Sequence, residues 1–328
     1  MQSTNALRQE VPPYVETFHD TSFYEEVIHG LKSQPRTIPP KFFYDKRGSQ
    51  LFDAICETPE YYPTRTEKAL LEKHLNDIGQ YITSECILVE PGCGSCEKVM
   101  PLLNHTSPHT YVPMDISGDY LQGVAQYLAS HFPTVNIRPV CIDYTAPLTL
   151  PFANEGRRCV AFFPGSSIGN FEPRDAVTFL RNIANMVGKQ GGLLIGVDLK
   201  KNEVILNNAY NDAKGVTAQF NKNLLTRINN ELNGQVDLDS FKHHAYYNRD
   251  KGRIEMHLVS TANQTVTIDE NDFKFKKGET IHTENSYKYT VEEFHALCQR
   301  AGFVACEHWT DDNELFSLHY LVRSTQVV

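Results

Sequence analysis

The chain has 328 residues, of which 41% are hydrophobic and 22% are charged, and its formal net charge is −9. This composition fits a globular protein with a large core. Basic residues are interspersed with acidic ones, so a nucleic-acid partner is not expected. No apolar stretch is long enough to span a membrane, and the first thirty residues lack the apolar core of a secretory signal, so we expect a cytoplasmic protein.

The N-terminal part of the chain shows two segments with apolar residues at helical spacing. They are residues 22–33 (SFYEEVIHGLKS) and 49–62 (SQLFDAICETPEYY). Between them lies QPRTIPPKFFYDKRG, which is rich in proline and aromatic residues and indicates a loop. The pattern predicts short helices joined by an irregular connection.

From Glu85 onward, short apolar runs that end in acidic or glycine-bearing loops alternate with helical segments. The runs are residues 85–90, 109–115, 135–143, 158–165 and 191–199, and the intervening helices are predicted at 98–105, 117–132 and 172–188. This alternation predicts an α/β fold with a mainly parallel sheet. The carboxyl ends of its strands meet at one edge, where ligands bind.

After Leu199 this alternation stops. An Asn-rich helical segment at 207–234 is followed by alternating strands at 243–268, with a turn signal, Asn-Arg-Asp-Lys-Gly, at 248–252. We interpret the segment from 201 to 286 as an insertion that builds an α+β lid.

The last forty residues return to the sheet. A helix is predicted at 291–302, and two strands at 303–311 and 315–323 are joined by a polar turn. The pair predicts a hairpin whose last strand runs antiparallel at or near the edge of the sheet. Doubly wound dinucleotide dehydrogenases do not normally end in this way, whereas methyltransferases that use S-adenosylmethionine (SAM) do.

The loop after the first run contains two glycines, Gly92 and Gly94, behind Glu90. Glycines allow a backbone to approach a nucleotide closely, but the third glycine of a dinucleotide fingerprint is missing. An acidic residue before the loop disfavours an anionic diphosphate. It suits SAM, which carries an ammonium and a sulfonium group.

The next two predicted strands also end in acidic residues, Asp115 and Asp143. Asp115 lies about twenty residues after the glycines, where a carboxylate accepts both ribose hydroxyls. Asp143 is followed by Tyr144, which suits an adenine amino group and ring face. Three adjacent strands that end in acidic residues therefore favour SAM over NAD as the ligand of this edge.

Cys93 and Cys96 form a CxxC pair within the same loop, which raises the alternative of a metal or redox site. A zinc site needs about four ligands, and the sequence offers no second CxxC and no spaced histidine pair. The eight cysteines are spread over 328 residues. We therefore expect reduced thiols and no metal.

Several long motifs resemble one family. They are FFPGSSIGNF at 162–171, KFFYDKRGSQLFDAI around Tyr44, PEYYPTRTE at 59–67, AYNDAKGVTAQFN at 209–221 and IHTENSYKY at 281–289. Together they resemble the SAM-dependent L-histidine Nα-methyltransferases of ergothioneine biosynthesis, from about residue 20 to the end of the chain. The loop cysteines and the residues Asn285 and Tyr287 differ from what the family pattern leads us to expect.

The resemblance implies a Rossmann-like SAM-binding domain at 62–200 and 287–328, and a substrate-binding domain at 1–61 and 201–286. The implied cofactor residues are Tyr44, Gly92, Lys98, Asp115, Asp143, Tyr144, Gly165 and Ser166. The implied substrate residues are Tyr61, Asn170, Tyr210, Met256, Glu284 and Ser286. The resemblance also implies trimethylation of the α-amino group of L-histidine to hercynine.

Methyl transfer to an amine needs alignment and a neutral nucleophile, and the donor brings its own leaving group. We therefore expect no dedicated base, with Tyr44 and Tyr61 orienting the amine. Glu284 and Ser286 alternate along one predicted strand and so share a face, where they can bind an imidazole N–H.

Two alternatives remain open at this point: another acceptor such as a tryptophan derivative, or an inactive SAM-binding subunit. A monomer is expected, because no apolar helical stripe is left over once both domains are assembled.

Overall fold

In a computed structural model, residues 11–12, 15–16, 23–144, 150 and 156–324 are described. The strands are β1 (Val15–Glu16), β2 (Arg36–Thr37), β3 (Ile87–Pro91), β4 (Thr110–Asp115), β5 (Asn136–Ile137), β6 (Val140–Cys141), β7 (Cys159–Phe163), β8 (Gly192–Asp198), β9 (Phe241–Asn248), β10 (Arg253–Ser260), β11 (Gln264–Ile268), β12 (Asn271–Phe275), β13 (Thr280–Tyr287), β14 (Phe303–Thr310) and β15 (Phe316–Arg323).

The helices are α1 (Phe23–Lys32), α2 (Lys46–Cys56), α3 (Pro63–Lys73), α4 (Leu75–Ile78), α5 (Met100–Thr106), α6 (Gly118–His131), α7 (Pro173–Val187), α8 (Glu203–Ala209), α9 (Val216–Glu231) and α10 (Val291–Arg300). Three short 3-10 helices cover Pro40–Phe43, Ser167–Asn170 and Leu238–Ser240. None of the helices in the described ranges combines the length and the apolar character needed to cross a bilayer.

The first sheet has the order β1-β6-β4-β3-β7-β8-β15-β14, and β5 also pairs with β4. Its strands pair in parallel except at one end, where β15 runs antiparallel to β8 and β14 runs antiparallel to β15. This confirms the Rossmann-like α/β fold with a terminal antiparallel hairpin. Because β4 and β7 lie on opposite sides of β3, the loops that follow β3 and β7 diverge and open a ligand crevice.

The two faces of the first sheet bury different residues, as the alternation of a strand requires. Ile87 and Val89 of β3 pack into one core, together with the apolar face of α7. Leu88, the residue between them, packs into a second core on the opposite face. Helices cover both faces, which explains why β3, β7 and β8 are buried throughout.

A four-stranded second sheet has the order β2-β13-β10-β9. The expected hairpin is present: β9 and β10 are antiparallel and are joined through residues 249–252. The N-terminal strand β2 pairs in parallel with β13, where Arg36 lies opposite Ile281. A third core collects apolar residues from 27–62 and from 206–281, so the N-terminal segment packs with the insertion.

One expectation about a single element was wrong. The run at 135–143 is not one strand but two short ones, β5 and β6. Pro139 lies between them and cannot donate a ladder hydrogen bond. The segment at 207–234 is helical as expected, and it contains the end of α8 and all of α9, which Gly215 caps with φ +69°. In contrast, α10 begins at a complete capping box formed by Thr290 and Glu293.

Candidate active site

The acidic strand ends lie side by side, because β6, β4 and β3 are neighbours in the first sheet. Asp115 ends β4, and its carboxylate accepts hydrogen bonds from the backbone N–H groups of Gly94 and Ser117, both at 3.1 Å. The glycine loop is thereby fastened to the end of the next strand. Glu90, Gly92, Asp115, Asp143 and Tyr144 are called the cofactor edge below.

Gly92 shows why this loop needs a glycine. Its φ is +70°, in the left-handed region, and a Cβ atom there would lie 2.8 Å from the ring of Tyr144. The loop and the tyrosine ring are therefore in direct contact. On the outer side of the edge, Asp143 pairs with Lys41 at 3.4 Å, which connects the N-terminal segment to the edge.

Glu90 is 1% exposed and accepts a hydrogen bond from the Tyr111 hydroxyl. Burial raises the pKa of Glu90 to about 8, although the Tyr111 bond and the charge of Lys98 oppose this effect. A cation brought to this edge would favour the ionised carboxylate. The carboxyl is therefore suited to a positively charged ligand.

The loop after β7 contributes Gly165 and Ser166, and Glu67 of α3 fixes it in place. One Glu67 oxygen accepts the Gly165 backbone N–H at 2.7 Å, and the other lies 2.9 Å from Lys98 Nζ. Gly165 has φ +80°, and a Cβ atom there would lie 2.9 Å from the Lys98 ammonium. Lys98, Gly165 and Ser166 are thus brought together beside the cofactor edge.

Glu67 was missed in the sequence analysis, although a signal for it exists. It precedes the buried residues Leu70 and Leu71 by three and four positions, so it lies on the apolar face of α3. A carboxylate on such a face is buried only if it has partners. The pattern therefore marks Glu67 as a residue with specific contacts.

A cluster of aromatic rings lies next to this edge. Tyr44 and Tyr61 both pack on Phe52, with ring centroids 5.7 and 6.2 Å away, and Tyr61 contacts Tyr210 edge-on at 6.2 Å. Tyr44 remains 43% exposed. Loss of hydration raises the pKa of Tyr44, and the charges of Glu284 and Tyr144 raise it further. Tyr44 is therefore close enough to both Glu284 and Tyr144 to be influenced by their charges.

Glu284 lies on β13 and is half-buried. Within the described part of the chain, its carboxylate accepts no hydrogen bond from protein. Burial raises the pKa of Glu284 to about 7, against the opposing charge of Lys288. Two residues later, Ser286 Oγ lies 2.8 Å from the Tyr210 hydroxyl. Tyr44, Tyr61, Tyr210, Glu284 and Ser286 are called the substrate cluster below.

The remaining two candidates lie at the border of this cluster. Asn170 ends the 3-10 helix after β7, and this turn packs so closely on β13 that a Cβ at Gly169 would lie 2.7 Å from the Tyr287 carbonyl oxygen. Among the described residues, no group hydrogen-bonds to the Asn170 side chain. Met256 lies opposite Glu284 in the β10–β13 ladder and is 1% exposed. It is therefore part of the third core as well as a neighbour of Glu284.

One group of three potential metal ligands is present within the described ranges: Glu255, His257 and His282, whose ligand atoms lie within 4.8 Å of one another. Glu255 already accepts hydrogen bonds from Arg253 at 2.7 and 2.8 Å and from Tyr246 at 2.8 Å. A metal ion there would compete with a guanidinium cation. Cys93 and Cys96 are buried free thiols.

The sequence is similar to those of known methyltransferases. The profile of the family described as "Histidine-specific methyltransferase, SAM-dependent" matches residues 23–323. The histidine N-alpha-methyltransferase of Mycolicibacterium smegmatis is 38% identical over 304 residues, which are 91% of this chain and 94% of that protein.

Two further relatives are fungal. The ergothioneine biosynthesis protein 1 of Neurospora crassa is 31% identical, and the match covers 89% of this chain and 34% of that protein. The 4-dimethylallyltryptophan N-methyltransferase of Claviceps purpurea is 28% identical, with 89% and 92% coverage. The profile match over most of the chain carries the assignment: the protein belongs to the family of SAM-dependent, histidine-specific methyltransferases.

Proposed function

We propose that this enzyme transfers three methyl groups from SAM to the α-amino group of L-histidine, giving hercynine for ergothioneine biosynthesis. The observation that carries the proposal is Glu284, a half-buried carboxylate without a protein donor among the described residues. A carboxylate in this state suits a ligand N–H, and the Ser286–Tyr210 pair beside it can complete the recognition of an imidazole ring.

The cofactor edge supplies the complementary groups for SAM. Asp115 accepts the ribose hydroxyls, Asp143 and Tyr144 contact the adenine, and Gly92 lets the backbone approach the ligand. Lys98, Gly165 and Ser166 border the same pocket, and Tyr44 faces both ligands. SAM supplies an electrophilic methyl group, so the chain's residues align the two ligands and need no metal for this step.

On the substrate side, Tyr44 and Tyr61 hold the amine by hydrogen bonds. Burial and neighbouring groups raise the pKa of both phenols, so they are neutral at physiological pH and act as hydrogen-bonding groups rather than bases. Asn170 receives the substrate carboxylate as a neutral donor, and the Tyr210 hydroxyl donates its hydrogen to Ser286. Met256 supplies an apolar wall beneath Glu284.

The proposed architecture has two parts. Residues 62–200 and 287–328 form the SAM-binding domain, and residues 1–61 and 201–286 form the substrate-binding lid, except that β1 (Val15–Glu16) pairs with β6 in the first sheet. Two observations support this division: the third core draws on 27–62 and 206–281, and the first two cores draw on 70–197 and 287–321. We further propose that the enzyme acts as a cytoplasmic monomer.

The function is tested by incubating purified protein with SAM and single amino acids and following the products by mass spectrometry. Histidine should gain one, two and finally three methyl groups, and S-adenosylhomocysteine should accumulate in proportion. Tryptophan, phenylalanine and histidinol serve as comparison acceptors. Failure to methylate histidine, with transfer to another acceptor, would overturn the proposal.

A tryptophan derivative is the second candidate acceptor. It is favoured by the Claviceps purpurea relative and by the aromatic rings of Phe52, Tyr44 and Tyr61 around the site. An indole ring carries one N–H and no second ring nitrogen, so it would use Glu284 but not a hydroxyl donor. Protein that binds S-adenosylhomocysteine but methylates no acceptor would instead indicate a SAM-binding subunit.

A further inference from the structure

Lys288 follows β13 directly and is not among the residues proposed to contact either ligand. It is 2% exposed, and it lies two and four residues after Ser286 and Glu284. Because side chains alternate along an extended chain, these three residues share one face. A buried lysine at the end of a substrate-binding face requires an explanation, since an ammonium is rarely buried without partners.

The ammonium group of Lys288 makes three contacts. Its Nζ lies 2.6 Å from Asp198 Oδ2, 2.8 Å from Ser286 Oγ and 3.2 Å from the Tyr210 hydroxyl oxygen. Two of its hydrogens are donated to Ser286 and Tyr210, and its charge is paired with the Asp198 carboxylate. All three contacts are with protein groups, so Lys288 acts through Ser286 and Tyr210.

These contacts determine how many hydrogens the hydroxyl groups of Ser286 and Tyr210 can donate to a ligand. Ser286 and Tyr210 lie 2.8 Å apart and share one hydroxyl hydrogen between them. Each oxygen also accepts a hydrogen from Lys288. One hydroxyl hydrogen remains, so the pair presents a single donor beside the acceptor Glu284. A neutral imidazole, with one N–H and one bare nitrogen, is complementary to one acceptor and one donor.

Asp198 connects this arrangement to the cofactor side. It ends β8 with 0% exposure, and its carboxylate also binds Lys201 at 2.5 Å and the Tyr62 hydroxyl at 2.7 Å. Its backbone N–H donates to Ser166 Oγ at 2.9 Å. The position of Lys288 is therefore fixed relative to the loop that contains Gly165 and Ser166.

We propose that Lys288 is a positioning residue for the amino acid substrate: it holds Ser286 and Tyr210 in the arrangement that leaves one donor for the ligand, and it ties both to the end of β8. This inference rests on the proposed function of the same site. The inference adds Lys288, a residue that contacts neither ligand. Lys288 determines how many hydroxyl hydrogens Ser286 and Tyr210 can donate to the substrate, and it fixes the distance between the substrate and cofactor sites.

Electrostatics supply a second consequence. Lys288 lowers the pKa of Glu284, against the larger effect of burial. Removal of the ammonium should therefore raise the pKa of Glu284 and move the pH dependence of substrate binding upward. A residue that merely supported the fold would not shift this pH dependence.

Lys288→Met is the test variant. It removes the ammonium but leaves Asp198 paired with Lys201 and Tyr62, so no buried charge is left alone. We expect the KM for histidine to rise about tenfold or more, with the dissociation constant of S-adenosylhomocysteine changed by less than about twofold. The pH midpoint of histidine binding should move upward. Lys200→Met is the matched control, because Lys200 forms a more exposed pair with Glu293 at 2.5 Å.

A double-mutant cycle with Ser286→Ala adds a direct measure of the coupling. If Lys288 acts through Ser286, Lys288→Met should raise KM less in the Ser286→Ala background than in the wild type. An unchanged KM and pH midpoint in Lys288→Met would overturn the inference, as would an equal loss of cofactor affinity. If the protein methylates another amino acid instead of histidine, the same measurements are made with that amino acid. The role of Lys288 can therefore be tested even if the proposed substrate is wrong.

Discussion

The two halves of the candidate site differ in how far their polar side chains are hydrogen-bonded within the protein. At the cofactor edge and the adjoining loop, carboxylates bind the protein's own backbone: Asp115 accepts Gly94 N–H, and Glu67 accepts Gly165 N–H. In the substrate cluster, the Glu284 carboxylate and the Tyr44 and Tyr61 hydroxyls have no such partner among the described residues. The first half is preformed, whereas the second keeps groups whose incomplete pairing favours a ligand that can satisfy them.

Glu90 and Glu284 show the same difference at the level of single groups. Burial raises the pKa of both, to about 8 and about 7. Glu90 has a hydroxyl donor in Tyr111, whereas Glu284 has only the distant influence of Lys288. A carboxyl whose pKa lies near physiological pH responds to the charge and hydrogen bonds that a ligand brings.

The largest expected effect comes from Asp115→Ala. The change removes the ribose acceptor and also the oxygens that fasten the glycine loop through Gly94 and Ser117. Hydrogen bonds to a charged group contribute ~1.5–3 kcal/mol each, so S-adenosylhomocysteine should bind about 100-fold more weakly or worse. Calorimetric titration measures this directly. Unchanged affinity would show that the cofactor binds elsewhere.

Glu284→Gln tests the other half. It keeps the size of the side chain and removes the charge, so histidine should bind about 10- to 100-fold more weakly, in line with ~1.5–3 kcal/mol for a charged hydrogen bond. The affinity for S-adenosylhomocysteine should stay the same. Glu270→Gln, at an exposed position between β11 and β12, is the control. Equal loss of both ligands in the Glu284 variant would remove the distinction between the two halves.

A smaller effect is expected on the pH dependence of histidine binding. The pKa of Glu284 is raised to about 7, so its accepting, ionised form is lost as the pH falls through that value. Histidine affinity should therefore decrease between about pH 8 and about pH 6. The imidazole of the substrate titrates in the same range, so the informative quantity is the difference from Glu284→Gln. Identical profiles in both proteins would contradict the role of Glu284.

The smallest effect is expected for the double substitution of Cys93 and Cys96 by serine. Both thiols are buried within the glycine loop, and burial raises the pKa of Cys93 well above its usual value. A thiol with a raised pKa, such as that of Cys93, is a poor nucleophile and a poor metal ligand. Activity and metal content should be unaltered. Stoichiometric zinc in the wild type that disappears in the variant would show that the loop is a metal site.

The sequence allowed most of the fold to be predicted, because its signals are local. Strands, helices and the closing hairpin each follow from periodicity within about ten residues, and the antiparallel pairing of β15 with β8 confirmed the fold class. The split of 135–143 into two strands also has a local cause, Pro139, whose effect was not taken into account. Family membership followed from long motifs and was confirmed by the profile match.

The site was harder to predict from the sequence, because its residues come from segments far apart in the chain. Lys288 illustrates the limit. It was not singled out in the sequence analysis, although its spacing from Glu284 and Ser286 puts it on their face. Only the fold shows that it is buried and paired with Asp198, at the end of another strand. Glu67 shows that a charged residue on an apolar helix face is a usable signal. The roles of all the cofactor and substrate residues stay predictions.

The most direct test is a crystal structure of the protein with S-adenosylhomocysteine and L-histidine bound together. We expect the adenosine to lie against Asp115 and Tyr144, and an imidazole nitrogen to lie within hydrogen-bond distance of the Glu284 carboxylate. An imidazole ring that lies away from Glu284, or an adenosine bound away from the carboxyl ends of β3, β4 and β6, would contradict this expectation.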